Sequence, residues 1–120
     1  MLELRPTTDE DVLYVAKEPM PRTGKAYTVT GNDEPLAIIG YYFESGHVIL
    51  FSSIDPRAKD HSTWYPWDVV RLAKKIIEEA KELGMPMFAA ADPDIPGSEK
   101  LLEYLGFTRY QRSTYQWLTR

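Results

Sequence analysis

A chain of 120 residues makes one domain, with room for a real core and little to spare. It has 43% hydrophobic and 27% charged residues and a net charge of −4, with no segment dominated by Lys and Arg, so it reads as a globular protein with little electrostatic support for binding nucleic acid. The lack of cysteine excludes disulfides, thiolate metal sites and a thiol nucleophile, and with no membrane-length apolar run and no basic-then-apolar start the expected location is the cytoplasm, with no membrane partner.

Leu2 and Leu4 alternate with Glu3 and Arg5, which predicts a short strand ending at Pro6. Thr7 and Glu10 have capping-box spacing, and Asp9, Glu10 and Asp11 suit the positive end of a helix. That helix carries Val12, Val15 and Ala16 and is stopped by Pro19 and Pro21; residues 18–25 are loop by composition. Three strands follow. Ala26–Thr30 turns at Gly31-Asn32-Asp33 into Leu36–Phe43, whose nearly continuous apolar run implies cover on both faces. Ser45-Gly46 then turns the chain into Val48–Phe51, completing an antiparallel meander.

A loop over Ser52–Thr63 leads to one long helix, about Trp64 to Leu83. Val69, Ala73, Ile76, Ala80 and Leu83 form its apolar stripe, widened by Val70 and Ile77, and Arg71, Lys74, Lys75, Glu78, Lys81 and Glu82 form its polar side. Ser62 or Thr63 is the expected cap, Pro66 is tolerated in the first turn, and Gly84 ends the helix. The apolar run Met87–Ala91 makes the whole a βαβ unit, so its two strands should be parallel. Loop residues 92–97 precede a helix over Ser98–Leu105 stopped by Gly106; Thr108–Thr119 reads as one interrupted strand or a very tight hairpin. The expected fold is α+β (mixed α/β), a single domain over residues 1–120, with a mixed sheet around a β-α-β core and helices on both faces.

In folds of this kind a ligand sits at the strand ends, often with an anion at the helix start, so residues 52–68 carry the question of function. Asp60-His61-Ser62 has the residue types of a hydrolase triad, but neighbours in sequence point apart and cannot form a relay. His47 and His61 are the only histidines and belong to no ligand cluster, so no metal is expected. Glu44, at the end of a central strand, is a candidate general base and equally a solvated turn residue. Arg57 and Lys59 read as phosphate contacts or as ordinary loop charges. Trp64, Tyr65 and Trp67 lie too close together to share one core direction, which makes them candidate anchors for a protein partner or for self-association. Tyr41, Tyr42, Tyr110, Tyr115 and Trp117 are expected to be sheet residues.

The element order resembles the GNAT acetyltransferase superfamily over nearly the whole chain. Leu4-Arg5-Pro6-Thr7-Thr8-Asp9-Glu10-Asp11 is similar to that family's first strand and acid-rich first helix, Ile54-Asp55-Pro56 to the close of its fourth strand, and Leu101-Leu102-Glu103-Tyr104-Leu105-Gly106-Phe107 to its last helix. The resemblance implies an acetyl-CoA site between strands that splay at Ser52-Ser53-Ile54 and Met87-Phe88, with His61, Ser62 and Thr63 at the pyrophosphate. Three departures stand against it. The family's glycine-rich loop falls on Lys59–Trp67, which has no glycine, an acid, a proline and three aromatics. The family's proton-donating Tyr falls on Leu102, with Ile95 and Ser98 at its Asn and Ala positions, and Tyr104 is about 200° round the helix. The family's second helix is replaced by the loop at 18–25.

Small GNAT-like proteins of tailed bacteriophages, including the internal virion protein A of some short-tailed phages, share such departures and a Pro-Leu-Ala-Ile-x-Gly strand like Pro35–Gly40. The leading expectation is therefore a non-catalytic, phage-type GNAT protein that binds no cofactor and works through protein contacts, in a virion or against a host target. The alternative is an acetyl-CoA-dependent N-acetyltransferase with a divergent loop.

Overall fold

A computed structural model describes residues 2–16, 24–91, 97–111 and 114–118. The elements are β1 (Glu3–Pro6), α1 (Asp9–Val15), β2 (Lys25–Gly31), β3 (Glu34–Glu44), β4 (His47–Ile54), a 3-10 turn (Ala58–Asp60), α2 (Pro66–Lys81), β5 (Met87–Ala90), α3 (Ser98–Tyr104), β6 (Thr108–Gln111) and β7 (Thr114–Trp117). They build one seven-stranded sheet in the order β1-β2-β3-β4-β5-β7-β6. All neighbours are antiparallel except β4 and β5, which run parallel, as a βαβ crossover requires. The chain end is a hairpin rather than one interrupted strand. The expected stops at Pro19 and Pro21, and most of the loops at 18–25 and 92–97, lie outside the described residues.

Helices cover both faces. Asp11 on α1 accepts from Thr28, whereas Glu79 on α2 accepts from Tyr27, and neighbours on β2 point to opposite sides of the sheet. The cover on both sides explains the apolar run of β3, where Leu36 to Ile39 and Tyr41 are all buried. The main core lies between the sheet and α2 with α3, where Val69, Ala73, Ile76 and Ala80 meet Val29, Ile39, Val48 and Met87. Each fully buried Val, Ile or Met side chain among them contributes about 1.5–3 kcal/mol. Asn32, Asp33, Ser45 and Gly46 all take positive φ, so the β2–β3 and β3–β4 turns have the left-handed residues that tight hairpins need.

Several boundaries differ from the sequence reading, each for a local reason. Thr8, not Thr7, caps α1, and its capping-box partner is Asp11, not Glu10. Thr7 is still tied to the sheet, its amide donating to the Ala26 carbonyl and its hydroxyl bonded to Thr28. β4 runs on through Ser52 and Ser53 to Ile54 because β3 continues to pair with it as far as Ala37. α2 starts at Pro66 with Tyr65 as an N-cap that makes no side-chain bond, so neither Ser62 nor Thr63 caps it. Leu83 lies past the last turn of α2 and is 42% exposed, so it is not part of the stripe.

Two carboxylates fasten the helices to the sheet. Asp11, 3% exposed, receives both Arg5 guanidinium arms at 2.6 and 2.7 Å, plus the Thr8 amide and the Thr28 hydroxyl. Burial opposes its ionisation, but the bonds from Arg5, Thr8 and Thr28 and the Arg5 charge outweigh burial and hold its carboxyl below the usual range. Glu79 takes the Tyr27 and Tyr41 hydroxyls at 2.7 Å each. There, too, burial is outweighed, by the two tyrosines and the Lys25 charge, and the carboxyl is held low.

A carboxylate depressed in the folded chain stabilises it above the unfolded pKa, near 4, and loses that contribution as pH falls through the folded value. Thermal stability should therefore be flat from about pH 7 to 5 and fall below about pH 4. Asp11→Asn should cost about 2 kcal/mol at pH 7, lowering Tm by about 10 °C, with a shallower acid fall than the parent; melts across pH check both.

Candidate functional site

β4 pairs with β3 along its whole length, from His47 opposite Glu44 to Ile54 opposite Ala37. With β5 it pairs only at Val48–Met87 and Ile49–Phe88, so beyond Ile49 the two strands part. Parting beside a helix layer leaves a slot. An apolar cavity of about 70 Å³ lies there, between Leu50, Phe51 and Ser52 of β4, Ala89 and Ala90 of β5, and Leu101 and Leu102 of α3. Ala89 and Ala90 keep the β5 side low, so the opening is set by small side chains on one wall and by leucines on the other. The sequence reading placed the opening at Met87 and Phe88; those two are the last residues still joined to β4, and the gap starts after them.

Among the described residues, the polar side chains lining the slot are Ser52 and Ser98, and no titratable group faces it. Leu102 is buried in the slot wall, while Tyr104 is 77% exposed with the Lys74 ammonium 5.3 Å from its ring centre. The residue one would choose as a proton donor thus faces solvent, and a side chain that cannot donate occupies the wall. Glu44 is at the β3–β4 hairpin, opposite His47 and exposed. Four residue steps along β4 take the chain from His47 to Phe51, a distance of about 13 Å.

Of the expected cofactor contacts, Ser52 lines the slot. Ser53 sits opposite Ile38, and Ile54 packs on the core opposite Ala37. The loop carrying His61, Ser62 and Thr63 is fastened toward the β3 side of β4, away from β5. His61 Nδ1 accepts from the Thr63 amide (3.2 Å) and meets the Thr63 hydroxyl (2.7 Å), so the ring proton belongs on Nε2, which lies 3.0 Å from the Glu34 carboxylate. Glu34 also accepts from the Tyr14 hydroxyl, and the Arg57 guanidinium lies over the Tyr14 ring. Thr63 is buried against Gly31, where even a Cβ would sit 1.9 Å from the Thr63 hydroxyl oxygen. Ser62 is exposed.

Most amides of this loop are used within it. Arg57 N–H donates to the Asp55 carboxylate and Ala58 N–H to the Asp55 carbonyl. Asp60, His61 and Trp64 donate to the carbonyls of Arg57, Ala58 and His61 in turn, and Thr63 to the His61 ring. Asp55 is 2% exposed and takes two further bonds from the Arg57 side chain, so that cation is already matched. At the start of α2, Trp64 packs against the core, while Tyr65 and Trp67 are 58% and 78% exposed. Tyr41, Tyr42, Tyr110, Tyr115 and Trp117 are sheet residues as expected, with the Tyr42 ring tilted against Phe51 and the Tyr110 and Phe88 rings meeting edge to face. No cluster of three His, Asp or Glu able to hold a metal occurs among the described residues, and no helix there is long and apolar enough to cross a membrane.

No protein-family model matches the sequence, and no curated protein matches it either. Solved structures do match. The ribosomal-protein-S18-alanine N-acetyltransferase from Escherichia coli superposes with a TM-score of 0.64 at 14% identity, over 97% of this chain and 91% of that one. A GNAT family acetyltransferase from Elizabethkingia anophelis with acetyl-CoA bound gives 0.61 at 12% identity, over 99% and 98%. An acetyltransferase of the GNAT family from Staphylococcus aureus gives 0.58 at 10% identity, over 97% and 98%. At such identities the likeness establishes the fold alone: this chain has the GNAT fold.

The slot geometry separates two neighbours on α3. Leu102→Ala should enlarge the cavity and cost about 2–4 kcal/mol of stability, whereas Tyr104→Phe should leave Tm within about 2 °C of the parent; thermal melts of the two variants check the helix register.

Proposed function

We propose that the chain is an acetyl-CoA-dependent N-acetyltransferase of the GNAT type that holds the acyl arm of its donor in the slot between β4 and β5. The observation that carries this reading is the parting of those strands after Ile49 over an apolar, narrow cavity, in a fold shared with acetyltransferases. A slot of that form accepts an extended chain lying beside a strand edge. Transfer forms a bond between an amine nitrogen and the thioester carbon and breaks the carbon–sulfur bond. With Leu102 in the wall and Glu44 at the far hairpin, neither proton movement is assigned to those side chains. The amine must arrive neutral, and the thiolate is protonated by solvent or by the amine's own proton.

A second reading is favoured by one observation, the inward use of the loop amides together with exposed Tyr65 and Trp67. In it the fold is kept as a non-catalytic scaffold that binds a protein through those aromatics, the role expected of a virion or host-contact protein of phage type.

Three measurements decide. Millimolar acetyl-CoA should raise Tm by several degrees, since a ligand at about a hundred times its Kd adds roughly 2.7 kcal/mol; a flat titration favours the scaffold. Transfer to an amine should quicken with pH as the acceptor loses its proton, with no acidic limb from a side chain, and Glu44→Gln should leave the rate unchanged; a hundredfold loss would make Glu44 the base. Tyr65→Ala and Trp67→Ala should melt close to the parent, and loss of self-association or partner binding in sedimentation by either would support the scaffold.

A further inference from the structure

We infer that the donor is recognised through its acyl-pantetheine arm alone, so that a nucleotide-free thioester such as S-acetylpantetheine serves as well as acetyl-CoA. This rests on the acetyltransferase reading above and concerns what the same slot selects. Holding a pyrophosphate takes backbone N–H groups that point at its oxygens, small residues that let them approach, and unpaired positive charge. Between Arg57 and Val69 most of the amides, and the Arg57 charge, are committed elsewhere. The amides of Arg57, Ala58, Asp60, His61, Thr63 and Trp64 all donate inside the loop, at 2.9–3.2 Å. α2 opens with Pro66, which has no N–H, and Asp68 and Val69 donate to the Tyr65 carbonyl. Arg57 is clamped by both oxygens of Asp55, and Asp68 places a carboxylate in the first turn of α2.

The loop is also not free to rearrange at little cost. Thr63 is wedged against Gly31, and His61 bridges Thr63 to Glu34, so swinging amides outward would break these anchors together. Charge points the same way: nucleotide phosphates approach a chain of net charge −4. The slot, by contrast, is uncharged, and apolar apart from Ser52 and Ser98. The reaction is balanced without the nucleotide. The amine nitrogen attacks the thioester carbon, the carbon–sulfur bond breaks, and pantetheine leaves as the thiol carrying the proton the amine gives up.

The experiment compares S-acetylpantetheine, acetyl-CoA and adenosine 3′,5′-bisphosphate by calorimetric titration, and the two thioesters as donors to one amine. The inference expects the two thioesters to agree within about threefold in Kd and in kcat/KM, the bisphosphate neither to bind nor to compete, and added salt to leave acetyl-CoA binding unchanged. A gripping loop would give about tenfold or more per charge-assisted hydrogen bond, so acetyl-CoA favoured by that margin, or displaced by the bisphosphate, overturns the inference while the acetyltransferase reading stands. If neither thioester binds at millimolar concentration, both fall. Ala90→Phe, at an exposed position on the slot wall, tests the site itself. It should weaken the two donors equally, by at least about tenfold, with the melt unchanged; loss of acetyl-CoA alone would place recognition outside the slot and overturn the inference.

Discussion

The sheet is two sheets joined at a narrow neck. Strands β1 to β4 form an antiparallel meander with long ladders, interrupted by one register shift at Val29/Thr30, and β5, β7 and β6 form a second antiparallel set. Among the described residues, the only strand pairing between the halves is the parallel contact of Val48 with Met87 and Ile49 with Phe88, with the Val48 amide donating to the Pro86 carbonyl. Everything distinctive about the slot follows from that brevity. Strands of one sheet lie about 4.8 Å apart while they pair, too close to admit a ligand, so an opening exists only where pairing stops.

What keeps the halves from separating further is α2. Its Glu79 is bonded to Tyr27 and Tyr41 on the first half, and at its end Lys81 donates to the Leu105 carbonyl and lies over the Trp117 ring on the second. Val69, Ala73, Ile76 and Ala80 fill the core across the neck. Burial raises the pKa of the Tyr41 hydroxyl, as does its bond to Glu79, so the donor in that bond stays protonated throughout the ordinary pH range. A single helix is thus the clamp that sets the width of the gap. The cost of deforming the slot is the cost of moving α2 against its buried stripe.

The fold was legible because its signals are local and agree with one another. Period-two and continuous apolar runs marked β3 and β4, the stripe on α2 marked the crossover, and Asn32-Asp33 and Ser45-Gly46 marked the turns, all of which stand in the structure. Boundaries failed where a side chain had two possible employers. Thr7 and Thr8 are chemically equal as caps, and the choice fell to Thr8 because Thr28, distant in sequence, takes the Thr7 hydroxyl. Thr63 looked like the cap of α2, but it is spent on His61 and on the space above Gly31. The slot was half legible: Ser52 and Leu102, the positions the family resemblance implied, both line it, yet the point of parting depends on how far a parallel ladder runs, which no residue near it advertises. Ala89 and Ala90 were the available signal, two small residues at the end of a strand where bulkier ones would close the gap.

The loop before α2 is the place where sequence and structure press hardest on function. Its residues are polar, and polar loops at strand ends invite a ligand reading. A donor already bonded at 3 Å contributes little to a ligand, however well placed, since binding would exchange one hydrogen bond for another and add the cost of moving the loop. The count that matters is therefore of amides left over, and along Arg57 to Trp64 most are taken. The slot is the opposite case: it offers apolar surface that water wets poorly, so filling it gains stability without breaking anything. On the acetyltransferase reading proposed above, affinity accordingly belongs to the slot, and the loop's work is to hold the start of α2, and through it the clamp, in place.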